Sequence, residues 1–505
     1  MASNEEVTVG IPLRYWVDNE KKRVVMAEAS GDFVDVLFSF LTLPLGTITR
    51  LEVEIGCIKN LYQSVRDLNP DVFWNKMCKE MLLFPHNPLE ASCQRLKVNV
   101  DDTRPTKYFM CDTCSKSNGL LVSTFDGAAC SCGKLMTNET ELLKESREGD
   151  NGVFVKGDAM FLICDDLTVL ESSPGNAVQP LRKYGLKDLS KIEEKSLQVD
   201  TDKMIRVLKK VLTSKTPLSD AFLEKESSPS DSFSRYIGPS NWKGSVEIKV
   251  MVSKSKKEIL FAKEDGNFVD FLVSFLTTPL GSILNHMNGK LSLGSIDNLY
   301  ASVKNLDSSW FIGSSKKLLL NPGVAPQFGC KSIQLNVLQE VHTPEYWYGT
   351  PVTDDKGSER KMISTKRDML RDPAEMKLFE PRCCDGARER AVGFVKRPCT
   401  FVVSDDLEVK TTRNAIEETT TSITYLREME NLRLDDLEEN SVKITKSHEA
   451  LNLLRASLTS NGAVLTQNLF YPMKWKCQRF TQFWRKKKRN IRKKLVFFWF
   501  KYFTY

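Results

Sequence analysis

Four cysteines between residues 108 and 136 have the type and spacing best suited to chemistry. Cys111 and Cys114 form a C-x2-C pair, and Cys130 and Cys132 form a C-x-C pair after fifteen intervening residues. Two close pairs on two tight turns can supply four thiolates to one tetrahedral ion, the geometry that zinc favours. The segment therefore predicts a structural Zn²⁺ site, because four thiolates leave no open position for a catalytic water. Plain reduced thiols are the alternative, since cysteines also cluster without metal in a reducing compartment.

The other candidate catalytic residues fit no known catalytic pattern. The chain contains no H-E-x-x-H, G-x-S-x-G, P-loop or dinucleotide glycine pattern. Its histidines are scattered, at His86, His286, His342 and His448. The pairs Asp165–Asp166 and Asp405–Asp406 lie between apolar runs, as the turn residues of hairpins do. We therefore expect no catalytic or cofactor-binding residues, with an enzyme of unrecognised type as the alternative.

The elements that must position the cysteines occur twice along the chain. The stretch GDFVDVLFSFLTLPLGTI (residues 31–48) returns as GNFVDFLVSFLTTPLGSI (residues 266–283), with thirteen of eighteen positions identical. Further segments match in the same order, and a duplicated unit of roughly 220 residues has the size of a complete domain.

These matches define a domain organisation. Residues 1–225 form a first unit that contains the four-cysteine segment 108–136, and residues 244–470 form a second unit. The Ser-, Pro- and Gly-rich residues 226–243 are the predicted linker. The second unit keeps only the adjacent Cys383 and Cys384 in the matching region, which are too few ligands, so we expect zinc in the first unit alone.

Each unit is predicted to begin with two strands and a helix. Alternating apolar residues indicate the strands. Asn267 with Asp270, and Asp32 with Asp35 in the first unit, are placed to cap the helices that follow. The first helix carries one thin polar stripe, Asp35, Ser39 and Thr42, and is otherwise apolar, which is typical of a core helix. The segment LKVNV (residues 96–100) reads as a further strand. The expected fold is α+β, with two tandem copies of a ββα-starting domain, a β-grasp-like sheet and a zinc-ribbon-like insertion in the first copy.

Charge separates the C-terminus from the rest of the chain. Residues 474–505 contain twelve Lys or Arg and no Asp or Glu, whereas residues 1–473 carry about −5 in total. We expect residues 471–505 to lie outside both folds. This basic aromatic tail is open to three interpretations: a disordered or unnatural extension, an anchor for an anionic membrane surface, or a nucleic-acid or nuclear-import patch.

The sequence gives no indication of a secretory signal or a transmembrane segment. The N-terminus lacks a basic and apolar leader, and no apolar run approaches the ~18 residues of a membrane helix. The thirteen cysteines are then reduced thiols, which predicts a cytoplasmic or nuclear location.

Both units resemble one protein family. The stretches GNFVDFLVSFLTTPLGSI, IDNLYASV, the four-cysteine segment, GVFVKGDAMFLICDDLTV and VLKKVLTSKTPLSDAF are similar to those of the plant family known as domain of unknown function 674. The resemblance covers about residues 8–225 and 243–470. It implies a plant intracellular protein with tandem units, and it implies no reaction, ligand or catalytic residue. Our hypothesis is a non-enzymatic interaction or scaffold module with an unidentified protein partner. The alternatives are an enzyme with a site between the units and a nucleic-acid or membrane-surface binder that uses the tail.

Overall fold

The computed structural model describes most of the chain. The described residues are 10–114, 120–143, 151–223, 245–264, 266–328, 344–352, 360–383, 392–397, 399–411, 426–427, 433–445 and 447–470. The predicted linker at 226–243 and the predicted tail at 471–505 lie outside them, as do His342 and Cys384.

We keep the names first unit and second unit as labels for residues 1–225 and 244–470, and the described part of the first begins with a hairpin and a helix. Every second residue of β1 (Ile11–Asp18) is a buried apolar side chain, and a turn leads to β2 (Arg23–Ser30) and then to α1 (Gly31–Ser39). The later elements of this unit are α2 (Leu45–Arg50), α3 (Ile58–Asp67), α4 (Lys76–Leu83), α5 (Glu90–Cys93), β3 (Tyr108–Met110), β4 (Leu120–Ser123), β5 (Ala128–Ala129), β6 (Leu135–Met136), β7 (Asn138–Thr140), β8 (Met160–Cys164), β9 (Val169–Glu171), α6 (Pro174–Lys183), β10 (Ile192–Val199), α7 (Thr201–Thr213) and α8 (Pro217–Phe222).

The second unit opens in the same way, with a hairpin followed by a helix. Its elements are β11 (Val246–Ser253), β12 (Glu258–Glu264), α9 (Asn267–Ser274), α10 (Leu280–His286), α11 (Ile296–Asn305), α12 (Ser315–Leu320), β13 (Tyr346–Pro351), β14 (Met362–Ser364), β15 (Leu370–Leu378), β16 (Phe401–Ser404), β17 (Val409–Thr411), β18 (Leu437–Ile444) and α13 (Ser447–Thr459). Short 3-10 turns, Phe40–Thr42 and Phe275–Thr277, follow α1 and α9.

Five of the described strands in each unit form an antiparallel sheet. The strand order is β10-β1-β2-β8-β9 in one sheet and β18-β11-β12-β16-β17 in the other, so strands at equivalent places in the two units have equivalent neighbours. Ile11 pairs with Val199 in the first sheet, and Val246 pairs with Ile444 in the second. With the helices, these sheets make the protein α+β.

Two expectations about the sheets are wrong. A β-grasp sheet joins its first and last strands in parallel, whereas β1 and β10 run antiparallel here. The LKVNV segment at residues 96–100 forms bends and no strand. The side chains of Leu96, Val98 and Val100 are buried. The alternation of apolar and polar residues therefore belongs to an irregular segment that packs against the core.

The helices α1 and α9 lie at the centre of the core, as expected, but their polar residues have a different role from the one predicted. Asp35, Ser39 and Thr42 are all buried, at no more than 1% exposed. Neither α1 nor α9 has a side-chain N-cap. The Asp35 carboxylate instead accepts hydrogen bonds from the backbone N–H groups of Val153, Phe154 and Val155, at 2.7 to 2.9 Å. The carboxylate therefore fixes a distant chain segment instead of its own helix end.

The helices α2, α3 and α4 pack on the second unit, and α10, α11 and α12 pack on the first. We call Leu45–Leu83 the first helical segment and Leu280–Leu320 the second. The Oγ of Ser64 accepts a hydrogen bond from the Val409 N–H of the second unit at 2.9 Å. In the equivalent contact, the Oγ of Ser302 accepts one from the Val169 N–H of the first unit, also at 2.9 Å. One continuous cluster of buried apolar side chains runs through both units as a result.

A third sheet also combines the two units. Its order is β14-β13-β15-β4-β3-β7, in which β3, β4 and β7 belong to the first unit and the other strands to the second. The join is the parallel pair β4 and β15, with Met376 opposite Leu120 and Leu378 opposite Val122. We call this sheet, together with the β5–β6 hairpin, the small lobe. It carries the four cysteines.

Candidate metal centre

Two turns of the small lobe present the four cysteines. Cys111 directly follows β3, and Cys114 lies at the end of the turn after it. Cys130 and Cys132 lie in the turn between β5 and β6, where the N–H of Cys130 donates to the Lys134 carbonyl and that of Gly133 donates to the Cys130 carbonyl. Gly133 has a φ of +84°, a left-handed conformation that glycine adopts without strain. The pairing of β5 with β6 therefore fixes the second pair of sulfurs.

The four sulfur atoms converge on one point. All four Sγ atoms lie within 4.8 Å of one another. The Cys111–Cys132 and Cys114–Cys130 Sγ distances are both 3.6 Å. With Zn–S bonds of about 2.3 Å, the sulfurs of a tetrahedral site lie about 3.8 Å apart. The donor set and its spacing therefore fit a tetrahedral thiophilic ion, and none of the four thiols takes part in a disulfide.

The electrostatics of the cluster favour a bound cation. Hydrogen bonds from the backbone N–H groups of Cys114 and Thr113 lower the pKa of the Cys111 thiol to about 7. The pKa of the Cys114 thiol is instead raised to about 12, chiefly by hydrogen bonds with the thiols of Cys132 and Cys130. Adjacent sulfurs cannot all be ionised without a counter-charge. A divalent cation would supply that charge and displace the remaining thiol protons.

The surroundings of the cluster are apolar on one side and open on the other. Cys111 and Cys130 are buried, whereas Cys132 is exposed. The apolar cover consists of Phe109, Ala128 and Met136 from the first unit and Phe379 from the second. The N–H of Phe379 donates to the Val122 carbonyl at 2.7 Å, which attaches this cover to β4. The site therefore lies where the two units share a sheet.

The second unit contributes no equivalent group of thiols among the described residues. Cys383 is buried, and its N–H donates to the Glu380 carbonyl. Its predicted neighbour, Cys384, lies outside the described residues. Within the part of the chain that the structure describes, the four cysteines of the small lobe form the single cluster of potential metal ligands.

The aspartate pairs lie in hairpin turns, as predicted. Asp165 and Asp166 occupy the β8–β9 turn, and the Asp165 carboxylate accepts from both the N–H and the Oγ of Ser219. Asp405 makes the same two contacts with Thr466 in the second unit. Each of these first aspartates thus ties its hairpin to the end of its own unit.

The three histidines that the structure describes do not form a common site. His286 ends α10, and His448 lies in the first turn of α13. The Nδ1 of His86 lies 2.8 Å from the Oγ1 of Thr106, whose hydroxyl also donates to Glu90. These contacts hold the chain segment before β3 against α5.

Sequence reasoning missed two parts of this region. Phe379 covers the thiol cluster from the other unit, and no spacing in the sequence indicates that contact. Glu380 and Arg382 form a fully buried ion pair at 2.8 Å, and the Arg382 guanidinium lies 5.2 and 5.0 Å from the ring centres of Phe328 and Phe394. In the apolar stretch LFEPRCC, two residues of opposite charge flank a proline, and this pattern could have indicated a buried ion pair.

The fold and the thiol cluster define an α+β protein with a compact four-cysteine site. The chain matches the family described as "Protein of unknown function (DUF674)" over residues 8–447, and it belongs to that family. None of the curated proteins matches the chain, and none of the solved structures does. Among the described residues, every helix is too short or too polar to cross a bilayer.

Proposed function

We propose that this protein is a non-enzymatic interaction or scaffold module in which one structural Zn²⁺ holds the small lobe together. Cys111, Cys114, Cys130 and Cys132 are the proposed ligands. The observation that carries the proposal is the convergence of their four Sγ atoms within 4.8 Å. Four thiolates complete a tetrahedral shell, so the ion has a structural role and no substrate position.

The proposal extends to the architecture. Residues 1–225 and 244–470 are two tandem copies of a ββα-starting unit joined by 226–243, and the equal strand orders of the two five-stranded sheets support this. The segment 108–136 is a zinc-ribbon-like insertion of the first copy, and zinc binds to that copy alone. The protein is intracellular, cytoplasmic or nuclear, and binds a protein partner. The reduced state of the described cysteines is compatible with such a compartment.

Metal analysis of the purified full-length protein tests the site. We expect about one zinc per chain, and its loss in the double variant Cys111→Ser, Cys114→Ser. Cys399→Ser is the matched control, because Cys399 is a partly exposed thiol outside the cluster. Metal-free wild-type protein with an intact small lobe would exclude the site, and iron in place of zinc would correct the identity of the ion.

Hydrogen exchange tests the structural role of the ion. Removing the metal by chelation should speed exchange at the Phe379 amide, because its acceptor belongs to β4 beside the thiol cluster. Amides that join β11 to β18 in the second unit's own sheet should exchange as before. Equal protection of Phe379 with and without metal would contradict the proposed role.

A second candidate is an enzyme that works between the units. A cleft of about 920 Å³ lies between α3 and β17 and contains Arg66, Lys79, Asp406 and Lys410. Its charged groups already have structural contacts: Lys79 donates to the carbonyls of Arg66 and Leu68, and Lys410 pairs with Glu408. Because these charged groups already contact other parts of the protein, the cleft is the weaker candidate, and the scaffold proposal is favoured.

The third candidate, nucleic-acid or membrane-surface binding, depends on residues 474–505. Deleting them should abolish any salt-sensitive binding to DNA, RNA or anionic vesicles if the tail is responsible.

A further inference from the structure

The contacts between the two units are reciprocal. The N–H of Cys57 donates to the Ser457 carbonyl of the second unit at 2.8 Å. Its counterpart, the N–H of Ser295, donates to the Val211 carbonyl of the first unit at 2.7 Å. The same relation holds for Asn60 with the Asp406 carbonyl and for Asn298 with the Asp166 carbonyl, at 3.0 and 2.9 Å.

The start of each helical segment repeats this relation at the centre of the molecule. The N–H of Leu45 donates to the Thr278 carbonyl at 3.2 Å, and that of Leu280 donates to the Leu43 carbonyl at 3.1 Å. Pro44 and Pro279 form a bridge between these two pairs. The donor residues of the two units are thus equivalent to each other, and so are the acceptor residues. Each unit both donates to the other unit and accepts from it.

Glycines make the closest of these approaches possible. Gly56 has a φ of +45°, and a β-carbon there would lie 2.4 Å from the carbonyl oxygen of Ser457. Gly294 has a φ of +49°, and a β-carbon there would lie 2.1 Å from the carbonyl oxygen of Val211. Equivalent residues with equivalent conformations thus touch equivalent acceptors on the opposite unit, which is the relation of an isologous interface.

We propose that each unit is a docking module for a second unit of the same fold, and that recognition does not require the two units to belong to one chain. The partner is defined by the reciprocal contacts: it must present a G-x-I-x-N-L-Y helix start and receive one in return. This inference rests on the proposed two-unit architecture, and it does not depend on the zinc proposal, because none of these contacts involves the small lobe.

Cleavage of the folded full-length protein between the units tests the proposal. A specific protease site is inserted within residues 226–243, and an affinity tag is placed at the N-terminus. After complete cleavage, the second half should stay with the tagged first half at nanomolar concentration and in 1 M salt. A second half that separates as a folded monomer would overturn the proposal.

Exchange between molecules tests recognition in trans. Tagged cleaved protein is mixed with isotope-labelled, untagged cleaved protein at a denaturant concentration that unfolds both halves, and the mixture is then refolded by return to buffer. Native mass spectrometry should find the tagged first half bound to the labelled second half in about the statistical proportion. Pairs that contain no exchanged partner would contradict recognition in trans.

Matched glycine variants locate the interface. Gly294→Ala in the cleaved protein should speed dissociation of the halves by at least about tenfold, which corresponds to about 1.4 kcal/mol. Gly313→Ala is the control, because Gly313 has a similar φ of +53° and nothing within 4 Å of its would-be β-carbon. If Gly294→Ala fails to fold, Ser295→Ala serves instead, since it removes a hydroxyl that donates to the Ser214 carbonyl. Equal dissociation rates for interface and control variants would reject this interface.

Discussion

A carboxylate at the centre of each unit links the core helix to a distant segment. Asp35 accepts three backbone hydrogen bonds from Val153–Val155, and Asp270 accepts from Phe394 and Val395 and pairs with Arg397. Burial raises the pKa of Asp35 to about 6, although its backbone donors act in the opposite direction. The hydrogen bonds hold the segment in place, but burying the charged carboxylate has a desolvation cost that they only partly offset.

The pKa of Asp35 gives a pH-dependent prediction. Because this pKa is higher in the folded state than its ordinary value of 3.8, the folded protein binds the proton more tightly between about pH 4 and 6. The Asp35 contribution to stability therefore grows as the pH falls from 7 to 5, by ~1 kcal/mol. Asp35→Asn should accordingly be more destabilising, relative to wild type, at pH 5 than at pH 7 in urea unfolding.

The control for this measurement is Ser39→Ala on the same helix. Ser39 is buried but neutral, and its Oγ donates to the Val36 carbonyl. Its effect on the free energy of unfolding should be the same at both pH values. A pH-independent effect of Asp35→Asn would show that burial does not raise the Asp35 pKa as described.

At the scale of elements, the helices α3 and α11 decide how the units are joined. Each lies at the edge strand of the other unit's sheet, α3 beside β17 and α11 beside β9. The Oγ atoms of Ser64 and Ser302 each accept a hydrogen bond from the first backbone N–H of the neighbouring strand. Each hydroxyl in turn donates to a carbonyl one turn back in its own helix. The hydroxyl matters because an alanine at either position would leave a buried N–H without its acceptor.

Removing either hydroxyl should therefore destabilise the protein. We expect Ser64→Ala and Ser302→Ala each to lower the free energy of unfolding by about 1–3 kcal/mol, because each leaves a buried donor unsatisfied. Gln63→Ala, one position away on α3, should cost no more than about 0.5 kcal/mol, since Gln63 bonds Asp67 at the surface. Denaturant unfolding of the three variants provides the measurement, and similar losses for Ser64 and Gln63 would argue against the role of the edge contact.

At the scale of the whole molecule, one core cluster extends through both five-stranded sheets and both helical segments. Leu61 on α3 and Leu299 on α11 are fully buried in it, although they come from different units. Truncating a buried side chain in either unit therefore leaves a cavity in the same core. The two sheets should therefore unfold together.

Calorimetry can test this coupling. Leu61→Ala and Leu299→Ala should each cost about 2–5 kcal/mol and lower the temperature of one shared transition by a few degrees. Leu189→Ala should leave it unchanged, because Leu189 is 61% exposed. Two separate transitions, each moved by one variant alone, would contradict a common core.

Local features of this protein were predictable because they follow from short-range physics. Alternating side chains identified β1 and the hairpins, the apolar helix identified the core position of α1, and the C-x2-C and C-x-C spacings identified the four thiols that converge. The partners of Asp35 were mispredicted, because a capping pattern within the helix competes with donors more than a hundred residues away.

The sequence by itself determined the repeated elements, the α+β class and the cysteine cluster. Only the tertiary structure decided that the helical segments are exchanged between the units and that β15 joins β4 beside the thiols. The physical reason is that both units present nearly the same local residues. A helix that packs on its own sheet and one that packs on its neighbour's sheet therefore satisfy the same sequence pattern, and only the path of the chain in space distinguishes them.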